Sequence, residues 1–235
     1  MSFLVTDVFI EAGRSLIDPD HVRWPLSEKL TYLNEGLREA VILKPNLSTE
    51  AVTITLGVGS AQTLPDSYTV LSDAICNITT DHVTISNRVR GAAIRPIPNP
   101  GILDQMFPGW RAPQFQSKIV QHVIYDLNTP RLFEVFPAND GTGKIEAVVG
   151  KRLPEITPNG DVESLVSYNG LTVELDKLYQ LALTNFIIGR CYAKDSGVQA
   201  NAARAQAYLA DFQTAIAGRQ VSETNIAKEA KGRPT

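Results

Sequence analysis

Apolar residues recur at helical spacing at both ends of the chain and at strand spacing between them. Val5, Val8, Phe9, Ala12 and Leu16 predict a first amphipathic helix, stopped by the turn Asp18-Pro19-Asp20. Leu26, Leu30, Leu33, Leu37 and Val41 form a second stripe. Pro25 opens it at a position suited to a first helical turn, and Lys44-Pro45 closes it. From Leu171 the helical period returns: Leu175, Leu178, Tyr179, Ala182, Phe186 and Ala193 line one broad face. After "KDSG", Val198, Ala202, Ala205, Leu209, Phe212 and Ile216 line another, which predicts an antiparallel pair of helices. Gly189, Ala182, Ala202 and Ala205 are small enough to let the two backbones approach, and each large side chain buried there contributes about 1.5 to 3 kcal/mol.

Between the helical ends, prolines and glycines punctuate short β-branched runs. "AVTITL" at 51–56 reads as a strand, and 76–85 and 88–97 as further strand segments. Segments 119–125, 132–136 and 144–149, joined by "LNTP" and "PANDGTG", predict a three-stranded antiparallel meander. The expected architecture is α+β. Residues 1–48 and 166–217 form a helical bundle, 49–165 an inserted antiparallel β-rich domain, and 218–235 a flexible tail. That tail carries almost no large apolar side chains and cannot bury enough surface to fold alone.

Composition narrows the chemistry. The 235 residues are 43% hydrophobic and 20% charged, enough for one large domain or a core domain with an insertion. A formal net charge of -3 leaves no basic excess for general nucleic-acid binding. Asp7 and Glu11 interrupt the N-terminal region where a secretory signal needs an apolar core, and no apolar run is long enough to span a bilayer, so a soluble cytoplasmic product is expected. Cys76 and Cys191 lie far apart and form no metal or redox motif.

Catalytic patterns are weak. "GTGK" at 141–144 is close to a phosphate loop, but Ala138 stands where the earlier glycine belongs and Ile145 where the magnesium-binding hydroxyl belongs, so it reads as a turn. His21, His82 and His122 occur singly, without ligand spacing; neither a metal nor a cofactor is expected. Asp195-Ser196-Gly197 suits a helix stop and restart, placing Cys191 and Tyr192 half-buried in the preceding last turn. Glu134 and Glu146 could meet across the hairpin centred on "ANDGTG" and serve glycan hydrolysis as a carboxylate pair. Like charges opposite one another destabilise a sheet, and Arg131, Lys144 or Lys151 could equally neutralise them as surface pairs. The sequence does not read as an enzyme. A plain carbohydrate-binding tail module is the other competing class.

Several segments in order resemble the head-to-tail adaptor family of tailed bacteriophages: Trp24, "LNEGLREAVILKP" at 33–45, "LP" at 64–65, "PGW" at 108–110, "VIYDLNTPRLFEVFP" at 123–137 and "YQLALTNFIIGRCYAKD" at 179–195 continuing through "NAARAQAYLADF". Asn185 and Cys191 depart from its pattern. The resemblance implies a virion neck protein whose ring, usually a dodecamer, docks beneath the portal protein, continues the DNA channel without specific DNA binding, and presents a platform to a tail or nozzle protein. It also implies a C-terminal segment that reaches the portal, here with Arg219, Lys228, Lys231 and Arg233. Ring closure needs two different faces on each subunit. Leu181, Leu183, Ile187 and Ile188, at the edge of the third helix's core stripe, are expected to supply one of them.

Overall fold

The computed structural model describes residues 2–80, 89–97, 100–125, 128–195, 197 and 199–231. The fold is α+β, and the chain divides into two compact units, Met1–Leu47 with Leu153–Thr235, and Ser48–Arg152. His82, Ser196, Val198 and Arg233 lie outside the described residues.

The first unit begins with a two-residue strand β1 (Phe3–Leu4) and helix α1 (Val5–Ser15). α1 buries Val5, Val8, Phe9 and Ala12, the stripe expected from the period. Helix α2 (Leu26–Leu43) ends where Lys44 meets Pro45, a residue pair that disfavours continued helix. Its first turn is capped from a distance, the Leu26 amide donating to Glu163 Oε2 at 2.9 Å. Asn34, midway along α2, grips the Ile156 backbone through both its amide nitrogen and its oxygen, at 3.1 and 2.9 Å. Leu153 and Ile156 join the helical core, so 153–165 belongs with the helices and not with the β-rich insertion expected to run to 165.

The second unit holds strands β2 (Thr49–Thr55), β3 (Val58–Thr63), β4 (Tyr68–Thr80), β5 (Val89–Ala93), β6 (Arg95–Pro96), helix α3 (Gly101–Met106), and strands β7 (Gln116–Ser117), β8 (His122–Tyr125), β9 (Leu132–Asp140) and β10 (Lys144–Lys151). One sheet has the order β2-β10-β4-β5; the other runs β3-β9-β8-β6, with β7 alongside β9. The expected meander is therefore only half right. β8 and β9 pair antiparallel, but β10 leaves for the other sheet. The turn is the reason. Buried Asn139 accepts from the Gly141 and Gly143 amides at 2.9 and 3.1 Å while donating to the Ser117 and Lys118 carbonyls, and this fixes a wide corner in place of a tight hairpin. Phe133 and Val135 from one sheet then meet Ile145, Ala147 and Val149 from the other in one core. Asn77 adds a polar clip, exchanging both hydrogen bonds with the Val120 backbone at 2.7 and 2.8 Å. The outer face of β8 and β9 is covered by Leu103 and Trp110, which pack on Ile124 and Phe136.

The chain re-enters the first unit through strand β11 (Thr172–Val173), which pairs with β1. Helix α4 runs from Gln180 to Lys194, later than the period from Leu171 predicts. Asp176 accepts from the Leu178 amide at 2.9 Å and holds a separate 3-10 turn ahead of the helix. Helix α5 is continuous from Gln199 to Lys231, about 50 Å long. The flexible tail expected from 218 is thus helical to Lys231. Its Ala, Arg, Gln, Glu and Lys residues are strong helix formers, and they extend a helix already nucleated by its packed first half.

Candidate interaction surface

The paired-carboxylate site does not form. Glu134 lies on β9 opposite Ile124, and Glu146 lies on β10 in the other sheet. Each is held by an arginine that the sequence reading did not single out. Arg111 donates to both oxygens of Glu134 at 2.8 and 2.9 Å and also reaches Asp104 at 2.8 Å. Arg90 grips Glu146 through two bonds of 2.7 and 2.8 Å. Arg131 instead serves Asp66 and the Leu64 carbonyl; Lys144 and Lys151 are the end residues of β10. Hydrogen bonding to Glu134 and its charge hold the Arg111 guanidinium above its usual range against the effect of burial.

The remaining reactive side chains are also structural. "GTGK" is the corner organised by Asn139, with Gly141 in the left-handed region. Cys76 and Cys191 are free thiols and both are buried; burial pushes the Cys191 thiol up to about 12, so it stays protonated. His122 stacks on Phe136 and faces the Arg95 carbonyl. Among the described residues no cluster of His, Cys, Asp and Glu could hold a metal ion, and no helix is long and apolar enough to cross a membrane.

Leu183, Ile187 and Ile188 are not available for a ring interface. They are at most 2% exposed, whereas Leu181 is 60% exposed. α4 buries residues on nearly every side because α1, α2 and α5 all pack against it. Gly36 and Gly189 let them close in: a Cβ on Gly36 would stand 2.9 Å from the Phe186 ring, and one on Gly189 2.9 Å from Leu209 Cγ. What this packing leaves open is a groove of about 450 Å³. Glu35, Arg38, Glu39 and Arg190 line it together with the edges of the buried Phe186 and Phe212 rings. Arg190 is tied to Glu35 at 2.8 Å and lies over the Tyr32 ring.

A buried polar cluster fixes the loop between α1 and α2. Asp18 accepts from the Val22, Arg23 and Trp24 amides at 2.9, 3.2 and 3.0 Å and pairs with Lys29 at 3.7 Å. Burial pushes the Asp18 carboxyl up, but the amides of Trp24, Arg23 and Val22 and the charge of Lys29 outweigh it and hold it below the usual carboxylate range. Lys29 is wholly buried and its Nζ lies 2.6 Å from His21 Nδ1, so a neutral His21 accepts from the ammonium. The His21 ring sits against Gly13, where a Cβ would stand 2.9 Å from Cε1. Sequence reading missed this cluster, although Lys29 falls inside the apolar stripe between Leu26 and Leu33, a position where a lysine is out of place.

Burial, and then the Lys29 charge, hold the His21 imidazole below its usual value of 6.5 despite Asp18, Asp20 and Glu163. The folded chain therefore binds this proton less tightly than the unfolded chain, and the stability His21 confers is present above about 6.5 and lost as pH falls. The urea midpoint of the helical unit is expected to drop on acidification through that range. His21→Gln should flatten that part of the profile, and an unchanged profile would rule out the assignment.

The sequence profile of the SU10 adaptor protein family matches residues 4–232, nearly the whole chain. The chain belongs to the SU10 adaptor family. It is a bacteriophage structural adaptor, a virion protein, and adaptors of this kind self-assemble and contact portal and tail components. None of the curated proteins compared matches the adaptor. The structural role accords with carboxylates committed to arginine pairs on two separate sheets.

Proposed function

We propose that the adaptor closes into a ring, a dodecamer, beneath the portal protein, extends the DNA channel, and offers the tail or nozzle protein its platform. The match over residues 4–232 is the observation that carries this reading. Charge supports it: at -3 per subunit, copies arranged about an axis repel phosphates and let DNA slide. The C-terminal turns of α5, with Arg219, Lys228 and Lys231, and Arg233 beyond them, are the portal-binding element. Leu181, exposed at the start of α4, remains available for contact between subunits.

The test is the mass of the purified assembly with and without portal rings of the same phage. The 25.7 kDa chain is expected to appear on the portal as a closed ring of many copies. A chain that stays monomeric beside the portal excludes the reading, and a free trimer points to a carbohydrate-binding tail module. The hydrolase alternative has lost its geometric basis with the separation of Glu134 and Glu146.

A further inference from the structure

An edge strand presents unpaired backbone groups, a template for another strand, and folds blunt such edges with bulges, basic residues, proline or short length. The two large sheets end on β2 and β5 in one and on β3 and β6 in the other. Three of these carry such a device. β6 is two residues long and includes Pro96. β3 has a register shift between Gly59 and Ala61, with Gly59 at a φ of 106°. β5 pairs through two register shifts and carries Arg90. β2 has none of them: its seven residues match β10 in seven consecutive pairs without a shift, contain no proline, glycine or basic residue, and hold one charge, Glu50.

One bond fixes which groups are free. The Leu56 amide donates to the Gly143 carbonyl at 2.9 Å, so the residues in step with Leu56, namely Ile54, Val52 and Glu50, bond to β10. The backbone N–H and C=O groups of Ala51, Thr53 and Thr55 point the other way, and among the described residues no hydrogen bond reaches them. Thr53 Oγ1 is shielded from solvent and also has no hydrogen-bond partner among the described residues. On the core side, half-buried Val52 packs against the cluster that holds Ile54, Ile145 and Ala147. Both faces of the sheet stop short at this edge.

The strand is complementary to itself. Laid antiparallel against a second β2 about Thr53, it closes its own free set: Ala51 faces Thr55, Thr53 faces Thr53, and Thr55 faces Ala51, each in a hydrogen-bonded pair because all three point outward. Val52 then faces Ile54 twice and carries the apolar row across the junction. A rotation about χ1 brings the Thr53 hydroxyl to its twin, and cross-strand threonine pairs stabilise a sheet. The two Glu50 side chains fall at opposite ends, so no like charges meet. We infer that β2 of one free adaptor pairs antiparallel with β2 of a second copy, fusing two four-stranded sheets into one. This contact is isologous and closes on a twofold axis, so it does not propagate a ring and does not rest on the ring reading. It is the state of the adaptor away from the portal.

Sedimentation of the full 25.7 kDa chain without portal rings is expected to give a dimer. Ala51→Lys with Thr55→Lys sets lysine against lysine across the junction and leaves the bonds to β10 in place, so it should give a monomer with native circular dichroism. Ala51→Glu with Thr55→Glu should do the same, and mixing the two variants should restore the dimer. Thr53→Cys reads the register. Cys76 and Cys191 are buried, so oxidation of this variant should yield one disulfide-linked dimer band, whereas Glu50→Cys, opposite Leu56 of the second copy, should stay unlinked. The cross-link decides alone if a charged variant fails to fold. A wild type that is monomeric at every concentration reached overturns the contact, as does a dimer that survives the lysine pair or a Thr53→Cys chain that does not link. A free dimer that never forms a ring on the portal overturns the ring reading and leaves this contact standing.

Discussion

Asp18→Ala is expected to destabilise the helical unit by about 3 to 5 kcal/mol, the cost of removing one partner from a buried ion pair. The single carboxylate satisfies three backbone amides, one of them the buried Trp24 amide, and balances the wholly buried Lys29 ammonium. Alanine leaves the three amides without that acceptor and the Lys29 ammonium without its counter-charge, and hydrogen bonds to a charged group contribute about 1.5 to 3 kcal/mol each. In a chain of this size each kcal/mol moves the transition by about 2 to 4 °C, so a loss of roughly 10 °C in the melting of this unit is expected by calorimetry. Adding Lys29→Met to Asp18→Ala should recover part of the loss, since the stranded ammonium is then gone and the two effects are not additive. A shift below about 2 °C for Asp18→Ala would mean that water replaces the carboxylate and that the cluster does not hold the loop.

The helices were legible where one face alone decides. The spacing from Val5 to Leu16 and from Leu26 to Val41 carries its own burial pattern, and α1 and α2 lie where that spacing puts them. α4 was legible as a helix but not as the centre of its unit. Leu183, Ile187 and Ile188 look like a surplus face only when a helix is assumed to have one neighbour; three neighbours cover them. The route of β10 was hidden for a different reason. "ANDGTG" contains every residue a tight hairpin uses, and only the placement of Asn139 between the Ser117 and Lys118 carbonyls turns it into a corner between sheets. Such a contact joins residues more than twenty positions apart and leaves no local signature.

The buried lysine illustrates what side-chain type conceals. Period places Lys29 on the core side of α2, but polarity led it to be passed over, because a lysine is almost never fully buried without a partner. Its partners come from a loop whose sequence, "IDPDHVRW", reads only as a turn.

Truncation after Gly218 is expected to leave a folded subunit that no longer joins portal rings. Ile216 is the last core side chain that α5 contributes among the residues whose burial is described, and the sequence beyond Gly218 carries only Val221 and Ile226 as large apolar residues, so the effect on stability should stay within about 0.5 kcal/mol. What it removes is residues 219–231 of α5, about three and a half helical turns, with the four residues that follow Lys231, carrying Arg219, Lys228, Lys231 and Arg233 against Glu223 and Glu229. A locally basic segment on an acidic protein is suited to an acidic partner surface, and attraction between exposed charges is screened over about 8 to 10 Å at physiological salt. Co-sedimentation with portal rings should therefore fall with rising salt for the full chain and be lost altogether on truncation. Charge reversal of Lys228 and Lys231 to Glu should reproduce the loss without shortening the helix, which separates charge from length. If the truncated chain sediments with the portal as the full chain does, portal contact resides elsewhere on the subunit, and α5 past Ile216 has another role.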